Sequence, residues 1–385
     1  MAQKPVQAEQ KQEILSINQR RWRKFKSLKR GYYSLVILVT AYALSLFLPL
    51  MVNNKALYVS YNGNSYFPAF RDLLDLPFVG PLGGTTFISG DTLGQTGNSA
   101  ECNYRLLQTQ YERDNAGNTL VMPLYPYSPF EDISAGIGDN AEVVEQFAAP
   151  LESKNGSVPR LMGTDDRGRD VFARMAYGFK ISISFALLVA ILEYIIGIAI
   201  GSAMGYFGGK FDLTMQRFME IWGALPYLFL IIIIASIITP NFVLLVAFVT
   251  IFAWLGPAAQ MRSQFYREKA RDYVAAAVSI GVPTRKILIK HILPNALVPI
   301  ITFFPFAVVG GIGALVSLDF LGFGLPPPTP SWGEMVGVGL RYITDGYWWL
   351  VLVPLASMFS TLILVVFIGE GIREAFDPKV FSRLR

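Results

Sequence analysis

Long apolar runs alternate with polar segments along the chain, and the length of each run predicts the element it forms. Six runs are close to the roughly 20 residues that a helix needs to cross a bilayer. They cover residues 31–52, 181–206, 222–239, 242–259, 296–318 and 348–369. The first run ends in Leu48-Pro49-Leu50-Met51 and not in a small-residue cleavage site, which indicates an uncleaved anchor. The pattern predicts an all-α integral membrane protein with six transmembrane helices.

The polar segments divide the chain into four parts. Residues 1–30 are polar and basic, and residues 31–52 form the first predicted span. Residues 53–160 are rich in Gly, Asn, Ser and Pro and contain no run long enough to cross, so they predict a large insert of mixed or irregular structure, with a strand near residues 57–61. Residues 161–385 hold the other five spans. Because Lys and Arg concentrate in cytoplasmic segments, the basic start predicts cytoplasmic termini and an external insert.

A basic island lies between the fourth and fifth predicted spans. We call residues 272–295, DYVAAAVSIGVPTRKILIKHILPN, the surface segment. Gly281 predicts the end of a short helix that begins at Asp272, because Gly takes the left-handed conformation at low cost. Pro283 suits the first turn of the next helix. The segment therefore predicts a helix–turn–helix at the membrane surface, with a small-residue face for another protein; an ordinary interfacial connector is the alternative.

Composition excludes several classes of function. The chain has 385 residues, of which 52% are hydrophobic and 16% charged, and its net charge of +5 is better explained by membrane orientation than by nucleic acid binding. A single cysteine, Cys102, and a single histidine, His291, cannot build a disulfide framework or a metal site by themselves. The sequence contains no P-loop, no GxSxG elbow and no HExxH helix. We therefore expect no catalysis, no metal and no cofactor bound by this chain.

Two features inside the second predicted span are candidates for a role in the membrane. Gly197, Gly201 and Gly205 recur every four residues, so they lie on one face and allow another helix to approach closely. Glu193 lies in the same apolar run, and an ionisable residue at that depth is a functional candidate. The alternative for Glu193 is a local hydrogen-bonded pair or a protonated side chain.

Two outer-loop residues are further candidates. Asp319 follows the fifth predicted span, where it either contacts substrate or caps a helix, and capping is the simpler interpretation. Trp332 lies in the linker between the last two spans, and tryptophans there suit the headgroup level of the bilayer.

Four stretches resemble one family of transport proteins. The surface segment is similar to the EAA loop of ABC-importer permeases, whose pattern is matched by Ala276, Ala277, Gly281, Leu293 and Pro294. Ala275 stands where the motif has Glu, and His291 where it has its first Ile. The other three stretches are GTDDRGRDVF at residues 163–172 with the following Arg, Tyr-Gly and Ser, GGKFD at residues 208–212 with the following Arg, Glu and Pro, and SLDFLGFGLPPP at residues 317–328 with the following WGEM.

The resemblance is to oligopeptide and dipeptide permeases of the type I ABC-importer kind. The long insert, with Tyr66-Phe67-Pro68, and the SLDFLGFGLP stretch look closest to the microcin C-type peptide permeases. Membership implies a bacterial inner-membrane subunit that pairs with a second permease, two cytoplasmic ATPase domains that bind ATP and Mg²⁺, and a periplasmic peptide-binding protein. It also implies that residues 260–295 form a coupling loop contacting an ATPase. The residues that carry this contact are Asp272, Ala275, Ala276, Ala277, Gly281 and Pro294.

Other functions stay open at this level. A proton-coupled secondary transporter would use Glu193 but would need inverted repeats and more charge inside the membrane. A membrane-anchored receptor or assembly factor would bind through the insert and would not require five further spans. Within the ABC family, dipeptides, nickel chelates and glutathione are alternatives to longer peptides.

Overall fold

The computed structural model describes residues 16–72, 88–95, 101–114, 117–131, 145–152 and 158–376. Helices dominate these residues. In chain order they are α1 (Ile17–Ser27), α2 (Lys29–Ser45), α3 (Leu48–Met51), α4 (Pro68–Asp72), α5 (Tyr104–Asp114), α6 (Val171–Phe207), α7 (Gly209–Gly223), α8 (Tyr227–Ile237), α9 (Phe242–Ala253), α10 (Leu255–Lys269), α11 (Asp272–Ser279), α12 (Thr284–Lys286), α13 (Leu293–Ile301), α14 (Phe304–Phe320), α15 (Trp332–Tyr342) and α16 (Trp349–Phe376). A π-helical segment, Ile287–Ile292, joins α12 to α13.

Several helices have the length and composition of membrane spans. Within the described residues three qualify alone: α6, the nearly continuous pair α9–α10 and α16. Two bent pairs qualify together, α7 with α8 at 66° and the segment Thr284–Ile301 with α14 at 54°. The second bend lies between Pro299 and Pro305, where the sequence predicts it, since proline interrupts the hydrogen-bond ladder. The all-α membrane architecture is confirmed, with up to five spans by these criteria.

The first predicted span differs from its prediction. A single helix over residues 31–52 is wrong, because the chain forms the 17-residue α2, a turn at Leu46 and Phe47, and then the one-turn α3. Pro49 lies in the first turn of α3, where its missing N–H costs nothing and its ring disfavours continuation from the preceding turn. Residues 29–51 still reach about 34 Å at 1.5 Å per residue if they lie on one axis, so a sixth span stays a prediction.

Two other boundaries also differ from the sequence-based prediction. The helix predicted from residue 222 begins at Tyr227, because Pro226 takes an extended conformation as the N-cap of α8. The linker over residues 319–347, predicted as a loop, contains α15. Ser331 caps this helix by accepting a hydrogen bond from the Glu334 N–H, and the helix packs against α14 and α16.

Helix α6 is the centre of the helical core. Asp170 caps its start by accepting a hydrogen bond from the Ala173 N–H at 2.8 Å. Along its length it contacts α2, α7, α9, α10, α14, α15 and α16. Its apolar side chains form clusters with α14 and α16 near its start and with α10 and the π-helical segment near its end. Most other elements are therefore positioned relative to this helix.

The described part of residues 53–160 contains a small antiparallel sheet. Strands β1 (Tyr58–Tyr61), β2 (Asn64–Tyr66) and β3 (Thr119–Val121) pair in the order β2–β1–β3. Asn62 and Gly63 both have positive φ, which is the Asn-Gly turn that joins twisted antiparallel strands. Helix α5 packs on this sheet through buried Leu107. The strand expected near residues 57–61 is present as β1.

Candidate functional site

The surface segment ends its first helix with a glycine in the left-handed conformation. Gly281 has a φ of +77°, and its N–H donates to the Val278 carbonyl at 3.0 Å. The Val282 N–H donates to the Ala277 carbonyl, also at 3.0 Å. These two bonds form a Schellman motif that satisfies the last carbonyls of α11. Pro283 is the N-cap of α12. It therefore lies one position before the first helical turn, where the sequence predicts it.

The exposed face of this segment is small and apolar. Asp272, Ala275, Ala276, Gly281 and Pro294 are exposed, whereas Ala277 is buried against the helical core. Beside the alanines, the side chains of Val278 and Ile280 are 57% and 79% exposed. Sequence reasoning did not single out these two residues, although their spacing from Ala275 and Ala276 puts them at the same end of α11. The face is an apolar patch of the kind that another protein covers.

Hydrogen bonds tie α11 to the helices on either side. The Tyr273 hydroxyl donates to the Glu268 carboxylate at 2.9 Å and lies 3.4 Å from the His291 carbonyl. The Asn295 side chain on α13 donates to the Tyr273 hydroxyl at 3.4 Å and to the His291 carbonyl at 3.2 Å. Buried Val274 packs in the same cluster as the π-helical segment. Helix α11 is therefore fastened to both α10 and α13, and a displacement of α11 is transmitted to them.

A second connection joins α10 to α7. Arg262 forms a bidentate pair with Asp212, with Nε–Oδ1 and Nη2–Oδ2 distances of 2.5 and 2.7 Å. The Tyr266 hydroxyl donates to the same carboxylate at 2.7 Å. Bidentate arginine–carboxylate pairs hold a defined orientation. By contrast, Arg217 and Glu220 form the exposed i, i+3 pair that their spacing predicts.

The glycine face of α6 lies against α10. A Cβ atom on Gly197 would lie 2.7 Å from the Cβ of Pro257, and one on Gly205 would lie 2.5 Å from the Cβ of Phe265. On Gly201 it would collide with the carbonyl oxygen of Ala258. Each contact is shorter than carbon atoms tolerate, so only glycine permits this separation of the two helices. Glu193 lies one turn before Gly197, and its side chain is 7% exposed.

An ion-pair network joins the start of α6 to α15. Arg169 donates to Asp165 at 2.7 Å and to Glu334 at 3.1 Å. Arg174, which is 1% exposed, forms a second hydrogen-bonded ion pair with Glu334. Glu334 thus holds two arginines that the chain separates from it by more than 150 residues. The sequence contains these residues in two separate motifs, but nothing in their spacing indicates that they meet.

Burial shifts the pKa of several groups in the loop before α6. Burial raises the pKa of Asp166, with neighbouring Asp165 as the next cause. Burial also raises the pKa of Asp170, which accepts hydrogen bonds from Ala173 and Tyr125. For Arg169, burial alone would lower the pKa, but Asp165 and Glu334 raise it above its usual value. The loop is thus a dense, partly dehydrated charge cluster.

Asp319 closes the turn that leads from α14 to α15. Its carboxylate accepts hydrogen bonds from the Leu325 N–H at 2.7 Å and from the Ser331 hydroxyl at 2.5 Å. Neither bond is a helix cap, because Asp319 lies in the last turn of α14, Leu325 lies in the loop, and Ser331 itself is the N-cap of α15. Trp332 is 1% exposed and donates from its indole to the Met175 carbonyl at 3.1 Å, so it packs inside the protein, and its depth at the headgroup level stays a prediction. Trp332 is buried against α6 because it begins α15, the helix that the sequence did not predict.

Two cavities open beside this turn. One, of about 730 Å³, lies between residues 53–131 and the helical core. The other, of about 340 Å³, is lined by Asp166, Arg169, Asp319 and Glu334 among others. Within the described residues no group of three or more His, Cys, Asp or Glu side chains could hold a metal ion.

Comparison with known proteins identifies several relatives. Residues 197–382 match the family described as binding-protein-dependent transport system inner membrane component. The chain is 37% identical over 362 residues to the inner membrane ABC transporter permease protein YejE of Escherichia coli, covering 94% of this chain and 97% of the relative. It is 36% identical to the peptidoglycan transport system permease protein YejE of Agrobacterium fabrum, covering 94% and 92%. It is 37% identical over 217 residues to the oligopeptide transport system permease protein OppC of Haemophilus influenzae, covering 56% and 70%.

Proposed function

Because the chain belongs to the family of binding-protein-dependent inner membrane components, as a permease of an ABC transporter, we propose that it forms half of the translocation pathway of an ATP-driven peptide importer. The likeness to the two YejE proteins extends over 94% of the chain and so includes most of the insert, whereas the OppC likeness covers 56%. This difference supports the microcin C-type subgroup, whose resemblance rests on that insert. The names of the relatives, a peptidoglycan transport system and an oligopeptide transport system, favour peptide-containing substrates over nickel chelates and glutathione.

The observation that carries the mechanism is the exposed apolar face of α11. A short helix that presents Ala275, Ala276, Val278 and Ile280 fits a helix-in-groove contact with a cytoplasmic ATPase domain. ATP binding and hydrolysis belong to that partner, and this chain supplies no catalytic group. One polar contact of the family's loop has no counterpart here, because Ala275 replaces its Glu. The exposed Val278 and Ile280 supply apolar area beside it.

Movement of α11 would reach the membrane through the contacts described above. Tyr273 connects it to Glu268 of α10 and to Asn295 of α13, and Arg262 connects α10 to Asp212 on α7. The close contact between α10 and the glycine face makes these helices move with α6. The two bent helix pairs, with angles of 66° and 54°, provide sites where the pathway changes between outward-facing and inward-facing states.

The complex contains a second permease, two ATPase domains and a periplasmic binding protein that delivers peptide to the insert side. Both termini and the surface segment face the cytoplasm, as the basic residues indicate.

A tagged pull-down from detergent-solubilised membranes, followed by mass spectrometry, tests whether these partners bind the chain. We expect an ATPase, a second multi-span protein and a binding protein; recovery of this chain alone, with proton-driven uptake in liposomes, contradicts the proposal and favours Glu193 as a proton site.

Replacing Gly281 with tryptophan is expected to abolish peptide-stimulated ATP hydrolysis by the reconstituted complex. The positive φ costs about 1–2 kcal/mol for any L-residue, but no atom lies within 4 Å of a Cβ built there. The variant therefore strains one turn and places a large ring on the exposed face, where it blocks the groove contact. The measurement is the ATPase rate with and without peptide-loaded binding protein.

Two variants separate steric blocking from backbone strain. Gly281→Ala carries the same strain without the bulk, so we expect it to keep most of the stimulation. Gly346→Trp is a matched control, because Gly346 has a φ of +92°, an equally open Cβ position and a place between α15 and α16, outside the surface segment. Stimulation at the wild-type level in Gly281→Trp complexes would count against α11 as the coupling helix.

A further inference from the structure

Helix α1 packs against the charged end of α16, the last of the candidate membrane spans. Phe25 of α1 is buried, and a Cβ atom built on Gly371 of α16 would lie 3.0 Å from its ring. Lys24 lies 3.5 Å from Glu374. Residues 370–374 of α16, EGIRE, carry three charges, so the apolar part of this span ends beside α1. These contacts place α1 at the boundary between the bilayer and water.

Basic side chains are concentrated here without acidic neighbours in the sequence. Seven basic residues and no acidic residue occur between residues 16 and 52. The seven are Arg20, Arg21, Arg23, Lys24, Lys26, Lys29 and Arg30. Arg23, Lys26, Lys29 and Arg30 are exposed, and among the described residues these four form no ion pair with an acidic side chain. The described part of the chain therefore leaves their positive charge for an anion outside it.

Aromatic rings lie among these cations. Trp22 is 49% exposed and stacks on buried Phe25 with a centroid distance of 5.7 Å. The Lys26 ammonium group lies 5.3 Å from the centroid of the Trp22 ring, and Tyr32 contacts that ring edge-on at 6.5 Å. Tyr33, at the start of α2, is 58% exposed. Trp and Tyr rings have an apolar body and a polar tip, so they are enriched where a bilayer meets water.

We propose that α1 is an interfacial helix whose exposed face binds anionic phospholipid headgroups in the leaflet at this end of α16. We call this surface the lipid-binding face, and it consists of Trp22, Arg23, Lys26, Lys29 and Arg30. Guanidinium and ammonium groups donate charge-assisted hydrogen bonds to phosphate oxygens. The indole ring lies where the headgroups meet the acyl chains, as in other basic amphipathic helices at membrane surfaces.

Charge and position together select this ligand. Clusters of roughly four to eight basic residues beside a membrane span are typical of anionic-lipid recognition. A zwitterionic lipid has no net charge, so it cannot compensate the positive charge of the lipid-binding face. The bilayer that surrounds α16 also reaches this face directly, because α1 is fastened to the end of that span by Phe25 and Lys24. The proposal goes beyond peptide transport and holds for any transported substrate.

The test is photo-crosslinking of the full-length chain, with the subunits that co-purify with it, in phosphatidylcholine nanodiscs. Two probes are compared at equal mole fraction, phosphatidylglycerol and phosphatidylcholine, each with a diazirine on an acyl chain. We expect phosphatidylglycerol to label residues 16–33 about fivefold more strongly, since a single basic residue near an anionic lipid surface already gives about that preference. Joint replacement of the four cations by glutamine, Arg23→Gln, Lys26→Gln, Lys29→Gln and Arg30→Gln, should bring the ratio close to one. Arg23→Lys with Arg30→Lys should preserve it.

A matched control removes the same amount of charge from other exposed positions, through Lys210→Gln, Arg285→Gln, Lys286→Gln and Lys290→Gln. This variant should keep the wild-type labelling ratio for residues 16–33. An equal loss of the ratio in both variants would mean that overall charge sets the preference, and it overturns the site. Equal labelling by the two probes in the wild type also overturns it. Labelling in the isolated chain that disappears when the co-purifying subunits are present assigns the face to a protein partner and rejects the lipid.

Discussion

Replacement of Glu334 with alanine is expected to lower the free energy of unfolding by about 3–5 kcal/mol, the cost of removing one partner from a buried ion pair. Glu334 contacts both Arg169 and Arg174, whose side chains are 4% and 1% exposed. Without it, two guanidinium groups are balanced only by Asp165, at 2.7 Å from Arg169 and 3.9 Å from Arg174, and by Asp166, at 3.8 Å from Arg169. The stabilising attraction is lost while the arginines stay dehydrated.

The measurement is the denaturation of the detergent-solubilised chain, followed by tryptophan fluorescence. Glu220→Ala is the control, because Glu220 pairs with Arg217 on the surface, with side chains 59% and 75% exposed. Exposed pairs contribute about 0–1 kcal/mol, so this variant should unfold almost as the wild type does. Equal stability of the two variants would mean that the network is not a structural connection between α6 and α15.

Replacement of Gly201 with alanine is expected to destabilise the chain by about 1–3 kcal/mol, the usual cost of overpacking a tight interface. The added carbon collides with the Ala258 carbonyl oxygen, and it would lie 2.9 Å from the Cβ of Met261. Neither a backbone oxygen nor a Cβ atom can rotate away, so α10 must move. Because α10 also carries Arg262 and Tyr266, coupling to the ATPase should weaken as well.

Gly256→Ala is the matched control for this prediction. Gly256 lies on α10 itself, and no atom lies within 4 Å of a Cβ built there. Alanine favours helix over glycine by about 0.5–1 kcal/mol, so the same substitution should leave stability unchanged or raise it slightly. The two variants differ only in what the new methyl group meets. Thermal unfolding in detergent distinguishes them, and a Gly201→Ala chain as stable as Gly256→Ala would show that the helices separate without cost.

Much of the fold was predictable because the membrane imposes a simple length rule. Apolar runs near 20 residues have few alternatives to helices, and the runs that became α6, α9–α10 and α16 were recognised from length alone. The predicted helix boundaries are wrong where a proline ends a helix, and one helix was missed in a segment predicted as a loop. Pro49 and Pro226 break predicted helices. Helix α15 was not predicted, because the Gly and Pro residues around it obscure the helical spacing of its apolar residues.

In the candidate site, too, the sequence revealed the residues with local roles and missed those that depend on distant contacts. Gly281 and the glycine face were found from sequence because each depends on local backbone geometry or on helical period. The partners of those residues were not found, since Ala258 and Phe265 have no feature that marks them as contacts. The importance of Glu334 was also missed, because an acidic residue near a helix start usually indicates only a favourable interaction with the helix dipole.

By itself, the sequence determined the class of protein, the approximate spans, the surface segment with its glycine stop, and the family. These follow from interactions within a few residues of one another or with the bilayer. The tertiary structure alone decided which charges meet, how closely α6 and α10 approach, and that Trp332 is buried. Those features depend on contacts between residues far apart in the chain, such as Arg169 and Glu334, which are 165 positions apart, and such contacts are set by how all the helices pack together.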